Sequence, residues 1–276
     1  MAGTCEQLEI ISRSQRVALY RSSMRELKEF LDSCMCRVKT AYFLCGSYST
    51  FSHTKFSDVD VIALGDEKQE RLVSRHRLPS GLRASVQMLP ISGFLEQDVS
   101  FSDLLRLSSA RPVGGSPGGQ EKGHELLCQI LDQYSVDYLS HLHRKDMDCR
   151  KYTTDAKDPR FHHLKRGCGG LIDLQIWLFW LRLAVRRRQI NISDMSCEFA
   201  NYRRKKNYFA KLRYYIHETL NAPTDSTIPL DDSGIDYDRQ SLGSVPSNPT
   251  FNTTAVLTAR NEVVYRSLIS MQLLYK

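Results

Sequence analysis

The stretch from Phe43 to Leu64 constrains the fold of this chain more than any other, because it joins an apolar run, a Gly-Ser turn and an Asp-x-Asp pair. The apolar run stops at Gly46 and Ser47, and ten residues separate Ser47 from Asp58. Side chains of a β-strand alternate between its two faces. The pattern therefore predicts two strands around a turn, with Asp58 and Asp60 on one face of the second strand.

The two carboxylates of this strand are spaced closely enough to share a hard divalent cation. Mg²⁺ prefers oxygen ligands and keeps coordination positions open for phosphates, and Mn²⁺ is the alternative ion. Gly46 lets a phosphate approach the backbone, and Ser47 can donate to a phosphate oxygen. We therefore predict that Asp58 and Asp60 bind the metal, and that Gly46 and Ser47 bind a phosphate group.

Length, charge and cysteine content limit the class of protein. At 276 residues the chain can bury one large core or two small ones. A net charge of +7 favours an anionic partner, which can be a nucleotide, a nucleic acid or an acidic protein. The 8 cysteines form no CxxC pair and have no zinc-binding spacing, which predicts reduced thiols in a cytoplasmic protein. The most apolar run, 171–185, carries Asp173 and Arg182, so we expect a buried helix and no membrane span.

Apolar periodicity and Gly/Pro positions predict the order of elements. In the first part of the chain they predict a helix over 6–37, a short charged helix over 66–77, a strand over 83–91, a helix over 95–107 and a loop over 111–119. In the second part they predict helices over 125–143, 164–188, 199–220 and 254–276, a charged loop over 144–159 and a mobile loop over 221–253. We expect a domain boundary at the Gly/Pro-rich loop, with a catalytic domain over 1–115 and a helical domain over 120–276.

The Gly-Ser turn, the ten-residue gap and the Asp-x-Asp strand resemble the core motif of the nucleotidyltransferase superfamily that includes DNA polymerase beta. This resemblance implies an α+β fold, with a small mixed sheet followed by a C-terminal helical bundle. It also implies that Asp58 and Asp60 are catalytic and hold Mg²⁺, and that Gly46 and Ser47 bind the phosphates of a nucleoside triphosphate substrate.

A second run, His163 to Gln175, resembles a signature of the bacterial PII uridylyltransferase and glutamine-synthetase adenylyltransferase. In those enzymes a Lys, a Gly-Gly pair and an acidic residue open a helix after the catalytic domain. The signature places are occupied here by Lys165, Gly169, Gly170, Leu171 and the acid Asp173. This resemblance implies ATP or UTP as the donor and a protein hydroxyl as the acceptor. Segments 84–89 and 108–115 also resemble the uridylyltransferase, in the same order, so the resemblance extends from about residue 40 to residue 185.

Two interpretations of the Gly-Gly pair stay open at this point. Free N–H groups at a helix start can hold an anion, so that Lys165, Gly169 and Gly170 bind nucleotide phosphates. Alternatively, the paired glycines only allow another backbone to pack closely, and Lys165 is a solvated charge.

One departure from the superfamily concerns its third carboxylate, which a later strand usually supplies. We expect it within residues 75–90, and that window contains no Asp or Glu. Ser85 and Gln87 stand where such a side chain would point inward. Four acids of neighbouring segments are candidates to replace it: Glu67, Glu70, Glu96 and Asp98. We interpret the chain as a reduced or divergent relative of these enzymes.

Three hypotheses about function follow. The first is a Mg²⁺-dependent transfer of AMP or UMP from a nucleoside triphosphate to a hydroxyl group of a protein. The second is transfer to RNA or synthesis of a nucleotide messenger, for which the basic runs 186–188 and 203–206 would suit a phosphate backbone. The third is a non-catalytic binding module that has kept the fold and lost the third carboxylate.

Overall fold

The computed structural model describes residues 2–34, 41–65, 72–90, 100–115, 120–121, 125, 128–129, 131–150, 161–188, 190–220, 227–229 and 253–275. The chain forms two compact units, Met1–Ser135 and Val136–Lys276. The predicted functional boundary between residues 115 and 120 stays a prediction, because packing does not reveal which part carries out the chemistry.

The described residues of the first unit form a long helix, a mixed sheet and shorter helices, including helical residues at 131–133. Its elements are α1 (Ala2–Cys34), β1 (Ala41–Cys45), α2 (Gly46–Ser49), β2 (Val59–Gly65), β3 (Leu72–Arg77), β4 (Arg83–Pro90), α3 (Phe101–Ser108) and β5 (Arg111–Gly115). In the described residues the sheet has five strands in the order β3-β4-β2-β1-β5. β2 and β4 are parallel, and the other neighbours are antiparallel. The predicted α+β class with a mixed sheet is confirmed.

One face of this sheet is apolar and packs against α1. Val59, Val61 and Val86 share a buried cluster with Leu27 and Leu31 of the helix. Full burial of each such side chain contributes about 1.5–3 kcal/mol relative to exposure. Because strand side chains alternate, this packing leaves the other face to Asp60 and its neighbours.

Helix α3 brings an arginine to that other face. The hydroxyl of Ser100, the residue before α3, accepts a hydrogen bond from the Asp103 N–H (3.2 Å) and donates one to the Asp103 carboxylate (2.8 Å). Such a cap fixes where the helix starts. The apolar positions Phe101, Leu104, Leu105 and Leu107 are buried. Arg106 is half-buried and reaches Asp60 on β2.

Two sequence predictions for the first unit are wrong. Residues 72–77, predicted as part of a charged helix, form β3, and residues 111–115, predicted as a loop, form β5. Both are edge strands, where charged side chains and a residue without an N–H, such as Pro112, are tolerated. Pairing with β4 and β1 outweighs the local composition. The rest of both predicted segments, 66–71 and 116–119, lies outside the described residues.

The second unit is mainly helical. Its elements are α4 (Val136–Arg150), β6 (Phe161–His163), α5 (Leu171–Arg187), α6 (Ser196–Leu220), β7 (Thr227–Pro229) and α7 (Thr253–Gln272). Helix α5 packs against α6 and α7, and its core contains Trp177, Leu181, Tyr202, Phe209 and Val263. The predicted helical bundle after the sheet is confirmed.

Element bounds differ from prediction at three places in this unit. The predicted helix over 125–143 is interrupted at 134–135: residues 131–133 are helical, and α4 then extends from Val136 to Arg150, so residues 144–150 are helical and not a loop. Helix α5 begins at Leu171, because residues 164–170 form turns. Residues 227–229 of the predicted mobile loop pair with β6. Its remaining residues 221–226 and 230–252 lie outside the described residues.

Among the described residues, no helix is both long and apolar enough to cross a bilayer.

Helix α4 also buries an uncharged histidine. His143 is 1% exposed, and its Nδ1 accepts a hydrogen bond from Trp180 Nε1 (3.2 Å). Burial lowers the pKa of His143 to about 4; the charge of Asp173 opposes the shift, and those of Arg150 and Arg144 add to it. The folded chain therefore prefers the neutral imidazole.

We expect the second unit to lose stability as the pH falls from 6.5 to 4. In that range the unfolded chain binds a proton at His143 that the folded chain does not, and the loss reaches about 3 kcal/mol. Above pH 6.5 this contribution is fully present. Urea unfolding followed by the fluorescence of Trp177 and Trp180, which both lie in α5, measures it.

The variant His143→Gln should show a smaller decrease over the same pH range. His141→Gln, an exposed histidine on the same helix, is the matched control and should behave as the wild type. Identical pH dependence in all three proteins would contradict the assignment to His143.

Candidate active site

The Gly-Ser turn and the Asp-x-Asp strand meet at one end of the sheet. Cys45, the last residue of β1, lies opposite Asp60 in the antiparallel register. Gly46 follows with a φ of 64°, a left-handed conformation that favours glycine. A Cβ atom at Gly46 would lie 2.6 Å from Asp60 Oδ2. The backbone of the turn is thus packed directly against the carboxylate, and only glycine fits there.

Hydroxyl groups of the turn hold its backbone. Ser49 Oγ and Thr50 Oγ1 donate to the carbonyl of Gly46 at 2.9 and 3.1 Å. The N–H of Ser52 donates to the carbonyl of Ser47 at 2.8 Å. The Ser47 hydroxyl, in contrast, has no hydrogen-bond partner among the described residues, and its side chain is half-buried. It therefore remains a donor for a ligand.

Each acid of the Asp-x-Asp pair is bound by an arginine. Arg83 Nε lies 2.8 Å from Asp58 Oδ1, and Arg106 Nη2 lies 3.3 Å from Asp60 Oδ1. The side chains of Asp58 and Asp60 are 47% and 31% exposed. Ion pairs as exposed as these contribute only about 0–1 kcal/mol. A stronger ligand of the carboxylates can therefore displace the arginines.

Arg106 joins two neighbouring strands through one guanidinium group. Its Nη1 donates to Gln87 Oε1 at 3.0 Å while its Nη2 donates to Asp60. Ser85 lies beside Asp60 in the parallel register of β2 and β4, and Gln87 lies beside Ile62. The two positions where we expected the third carboxylate thus carry an alcohol and an amide that holds an arginine.

No third acid completes this site within the described part of the chain, where no group of three or more His, Cys, Asp or Glu side chains converges. The four candidates named from the sequence, Glu67, Glu70, Glu96 and Asp98, lie outside the described residues. A third carboxylate from any of them stays a prediction.

The donor chemistry of the site fits a hard divalent cation in part. Asp58 and Asp60 supply carboxylate oxygens that are partly open to water, and Mg²⁺ is often held by one or two carboxylates together with substrate phosphates. The arginines neutralise both carboxylates, which lowers their attraction for a cation. Asp58 and Asp60 would hold Mg²⁺ if it binds, with the triphosphate supplying the remaining negative charge.

Cys45 lies beside Asp60 but is not a nucleophile. Burial raises the pKa of its thiol to about 12, with Asp60 adding to the shift and Arg106 opposing it. The thiolate is the reactive form of cysteine. Cys45 is therefore a buried packing residue at neutral pH.

His53 is buried, although its position in a polar loop suggests an exposed side chain. It is 1% exposed and stacks on Tyr48 with 4.4 Å between ring centroids. Its Nε2 lies 3.1 Å from the carbonyl oxygen of Arg16 in α1, and its ring also contacts Tyr20. The polar segment between the turn and Asp58 is thus anchored to α1. His53 has a structural role there.

The structure places the remaining predicted residues, Lys165, Gly169 and Gly170, in the second unit. Lys165 is exposed, and Gly169 has a φ of 79° and lies so close to Arg260 of α7 that a Cβ atom would overlap the Arg260 backbone. The N–H groups of Gly170 and Leu171 donate to carbonyls of the preceding turn at 2.9 and 2.8 Å. These contacts favour the packing interpretation of the Gly-Gly pair. Binding of nucleotide by these three residues stays a prediction.

The acid of the same signature has a structural partner that the sequence did not indicate. Asp173 is 2% exposed, and its Oδ1 lies 2.6 Å from Arg150 Nη2. Its Oδ2 accepts from the N–H of Gly169. Arg150 also contacts Asp146 at 2.8 Å. Burial by itself would lower the pKa of Arg150, but the two carboxylates outweigh it and the pKa is raised.

Comparisons with known proteins give little beyond this geometry. No protein-family model matches the chain, and no curated protein matches it significantly. Among solved structures, that of a nucleotidyltransferase-like protein from Exiguobacterium sibiricum 255-15 is similar to this chain with a TM-score of 0.31. The two are 12% identical, over 92% of this chain and 74% of the other. A likeness this low carries no argument about activity, so a functional proposal depends on the residues of the first unit.

Proposed function

We propose that this protein is a nucleotidyltransferase that moves AMP or UMP from ATP or UTP to a hydroxyl group, with a protein as the acceptor. The observation that carries the proposal is the contact of Gly46 with Asp60. A Cβ atom at Gly46 would lie 2.6 Å from Asp60 Oδ2, which is too close for any side chain. The turn and the acid therefore lie together at one end of the sheet. A triphosphate bound through a metal at Asp60 would then lie beside the backbone of the turn.

The residues around this contact have complementary chemistry. Ser47 has a hydroxyl without a partner among the described residues, and it follows the glycine at which a phosphate can approach the backbone. Asp58 and Asp60 are exposed enough to exchange their arginines for other ligands. The net charge of +7 also favours an anionic substrate.

In this reaction the acceptor oxygen forms a bond to the α-phosphorus, and the bond from the α-phosphorus to the bridging oxygen breaks. Pyrophosphate leaves, and the acceptor hydroxyl loses its proton to solvent. Ser47 would donate to a phosphate oxygen and orient the triphosphate. Asp58 and Asp60 would hold Mg²⁺, which when bound supplies positive charge against the phosphates.

The variants Asp58→Asn and Asp60→Asn test the proposal. Each keeps the size of the side chain and removes the charge that holds the metal, so we expect nucleotide transfer to fall about a thousandfold. The measurement is transfer of α-labelled ATP, UTP, GTP or CTP with Mg²⁺ to proteins of a cell extract, followed by intact-mass analysis of the labelled species.

The matched control is Asp148→Asn, which removes an exposed acid on α4 of the second unit. It should transfer nucleotide at the wild-type rate. Unchanged transfer in both site variants would contradict the assignment of the site. Label found in RNA or in a small nucleotide would show that the acceptor is not a protein, and the assignment of the site would stand.

The two ion pairs favour a second candidate, a non-catalytic module that binds a protein partner. Arg83 and Arg106 neutralise the acids, and Ser85 and Gln87 take the places expected for a third carboxylate. Calorimetry with the four nucleotides and Mg²⁺ distinguishes the candidates. Heat of binding from at least one nucleotide supports the enzyme, and no heat from any of them supports the module. Location in the cytoplasm stays a prediction for both.

A further inference from the structure

Among the described residues, the two acids of the candidate site face two positive charges. The carboxylates of Asp58 and Asp60 are paired with the guanidinium groups of Arg83 and Arg106. A free divalent cation is therefore attracted less strongly to either acid, and it competes with an arginine for the carboxylate. The attraction between opposite charges a few ångströms apart is of the same order as the attraction that draws in a cation.

Of the two arginines, Arg106 is the better held. Arg83 is 63% exposed and contacts one acid, whereas Arg106 is 32% exposed and uses two nitrogens on two strands. Gln87 is 7% exposed, so its amide oxygen is fixed in the protein interior. An arginine held from two directions loses less freedom when it pairs with a carboxylate. The Asp60 pair is thus preorganised by Gln87.

We propose that Arg106 is a built-in counter-cation that keeps a divalent metal from Asp60 until a triphosphate arrives, and that Gln87 is the residue that positions it. This inference rests on the proposed function in naming the triphosphate. A triphosphate brings several negative charges, so it offsets the guanidinium charge and offers it phosphate oxygens as alternative acceptors. The site then takes the metal only as a complex with nucleotide.

Gln87 is uncharged at a position where we expected the third carboxylate. A carboxylate there would raise the negative charge of the site and bind the metal directly. The amide instead accepts one hydrogen bond from Arg106 and leaves the second guanidinium nitrogen on Asp60.

The test measures binding of Mn²⁺ alone to the full chain without nucleotide, by the loss of the electron paramagnetic resonance signal of free Mn²⁺. Arg106→Gln should bind Mn²⁺ about tenfold more tightly than the wild type, because the variant lacks the guanidinium charge that competes with the cation for Asp60. Gln87→Met, which frees Arg106 from its second contact, should give a smaller increase. It also serves as the second test if Arg106→Gln does not fold.

The matched control is Arg75→Gln. Arg75 is an exposed arginine on β3 that lies beside Ser85 in the register, two strands from Asp60. The variant removes the same charge from a backbone position that lies two strand spacings, about 10 Å, from that of Asp60. It should therefore change the Mn²⁺ affinity by less than twofold. Equal affinities of the wild type and both site variants, or an equal increase in Arg75→Gln, would overturn the proposal.

The readout separates this inference from the proposed function. If Arg106→Gln binds Mn²⁺ more tightly and none of the proteins transfers nucleotide, the proposed role of Arg106 is supported and the proposed enzymatic activity is rejected. If the wild type transfers nucleotide and Arg106→Gln has unchanged Mn²⁺ affinity, the enzymatic activity is supported and the role of Arg106 is rejected.

Discussion

Replacing Gly46 by alanine is expected to lower the free energy of unfolding of the first unit by about 3 kcal/mol and to abolish nucleotide transfer. Two effects add. The left-handed φ of 64° is strained for any residue with a Cβ, and the new methyl group would lie 2.6 Å from Asp60 Oδ2. Asp60 would have to move, and its contact with Arg106 would be lost.

A second glycine of the same unit separates these two effects. Gly81, in the turn between β3 and β4, has a φ of 84° and no atom within 4 Å of the place of its Cβ. Gly81→Ala should therefore cost only the backbone strain, about 1 kcal/mol. Hydrogen exchange of peptides from β1 and β2, followed at increasing urea concentration, measures both variants.

A double variant tests the contact itself. In the background Asp60→Ala the carboxylate is absent, so Gly46→Ala should cost no more than Gly81→Ala does. If Gly46→Ala is as mild as Gly81→Ala when Asp60 is present, the turn does not press on the acid, and the main support for the proposed function is lost.

Replacing Arg150 by methionine is expected to destabilise the second unit by about 3–5 kcal/mol. The change leaves Asp173, which is 2% exposed, as a buried charge whose remaining partner is the N–H of Gly169. A buried carboxylate without its counter-ion carries most of its desolvation cost. Urea unfolding followed by tryptophan fluorescence reports the loss, since both tryptophans lie in α5 with Asp173.

The matched control is Arg144→Met on the same helix. Arg144 is exposed, so its replacement should change stability by less than about 0.5 kcal/mol. Asp173→Asn added to Arg150→Met should restore at least half of the loss, because asparagine keeps an acceptor for the Gly169 N–H and removes the charge. A loss in Arg150→Met no larger than in the control would show that the buried pair contributes little.

Local patterns in the sequence were sufficient for β1 and for β2, which carries Asp60, whereas Asp58 lies one residue before β2. The alternation around Asp60 predicted the apolar face, and Val59 and Val61 are buried on it. Where the chain pairs at a sheet edge, composition misled, as in the charged strand β3 and the Gly/Pro-rich strand β5. Edge strands accept such residues, because the backbone N–H and C=O groups on one side of the strand do not pair with a neighbouring strand.

The sequence by itself determined the two-strand motif with its glycine and its two acids, because these depend on residues near one another in the chain. Only the tertiary structure revealed that Arg83 and Arg106 bind those acids, that Gln87 holds Arg106, and that Arg150 neutralises Asp173. Charges on distant elements become neighbours only when the apolar faces pack. Ion pairing over 46 positions of the chain, as between Asp60 and Arg106, therefore leaves no periodic signal in the sequence.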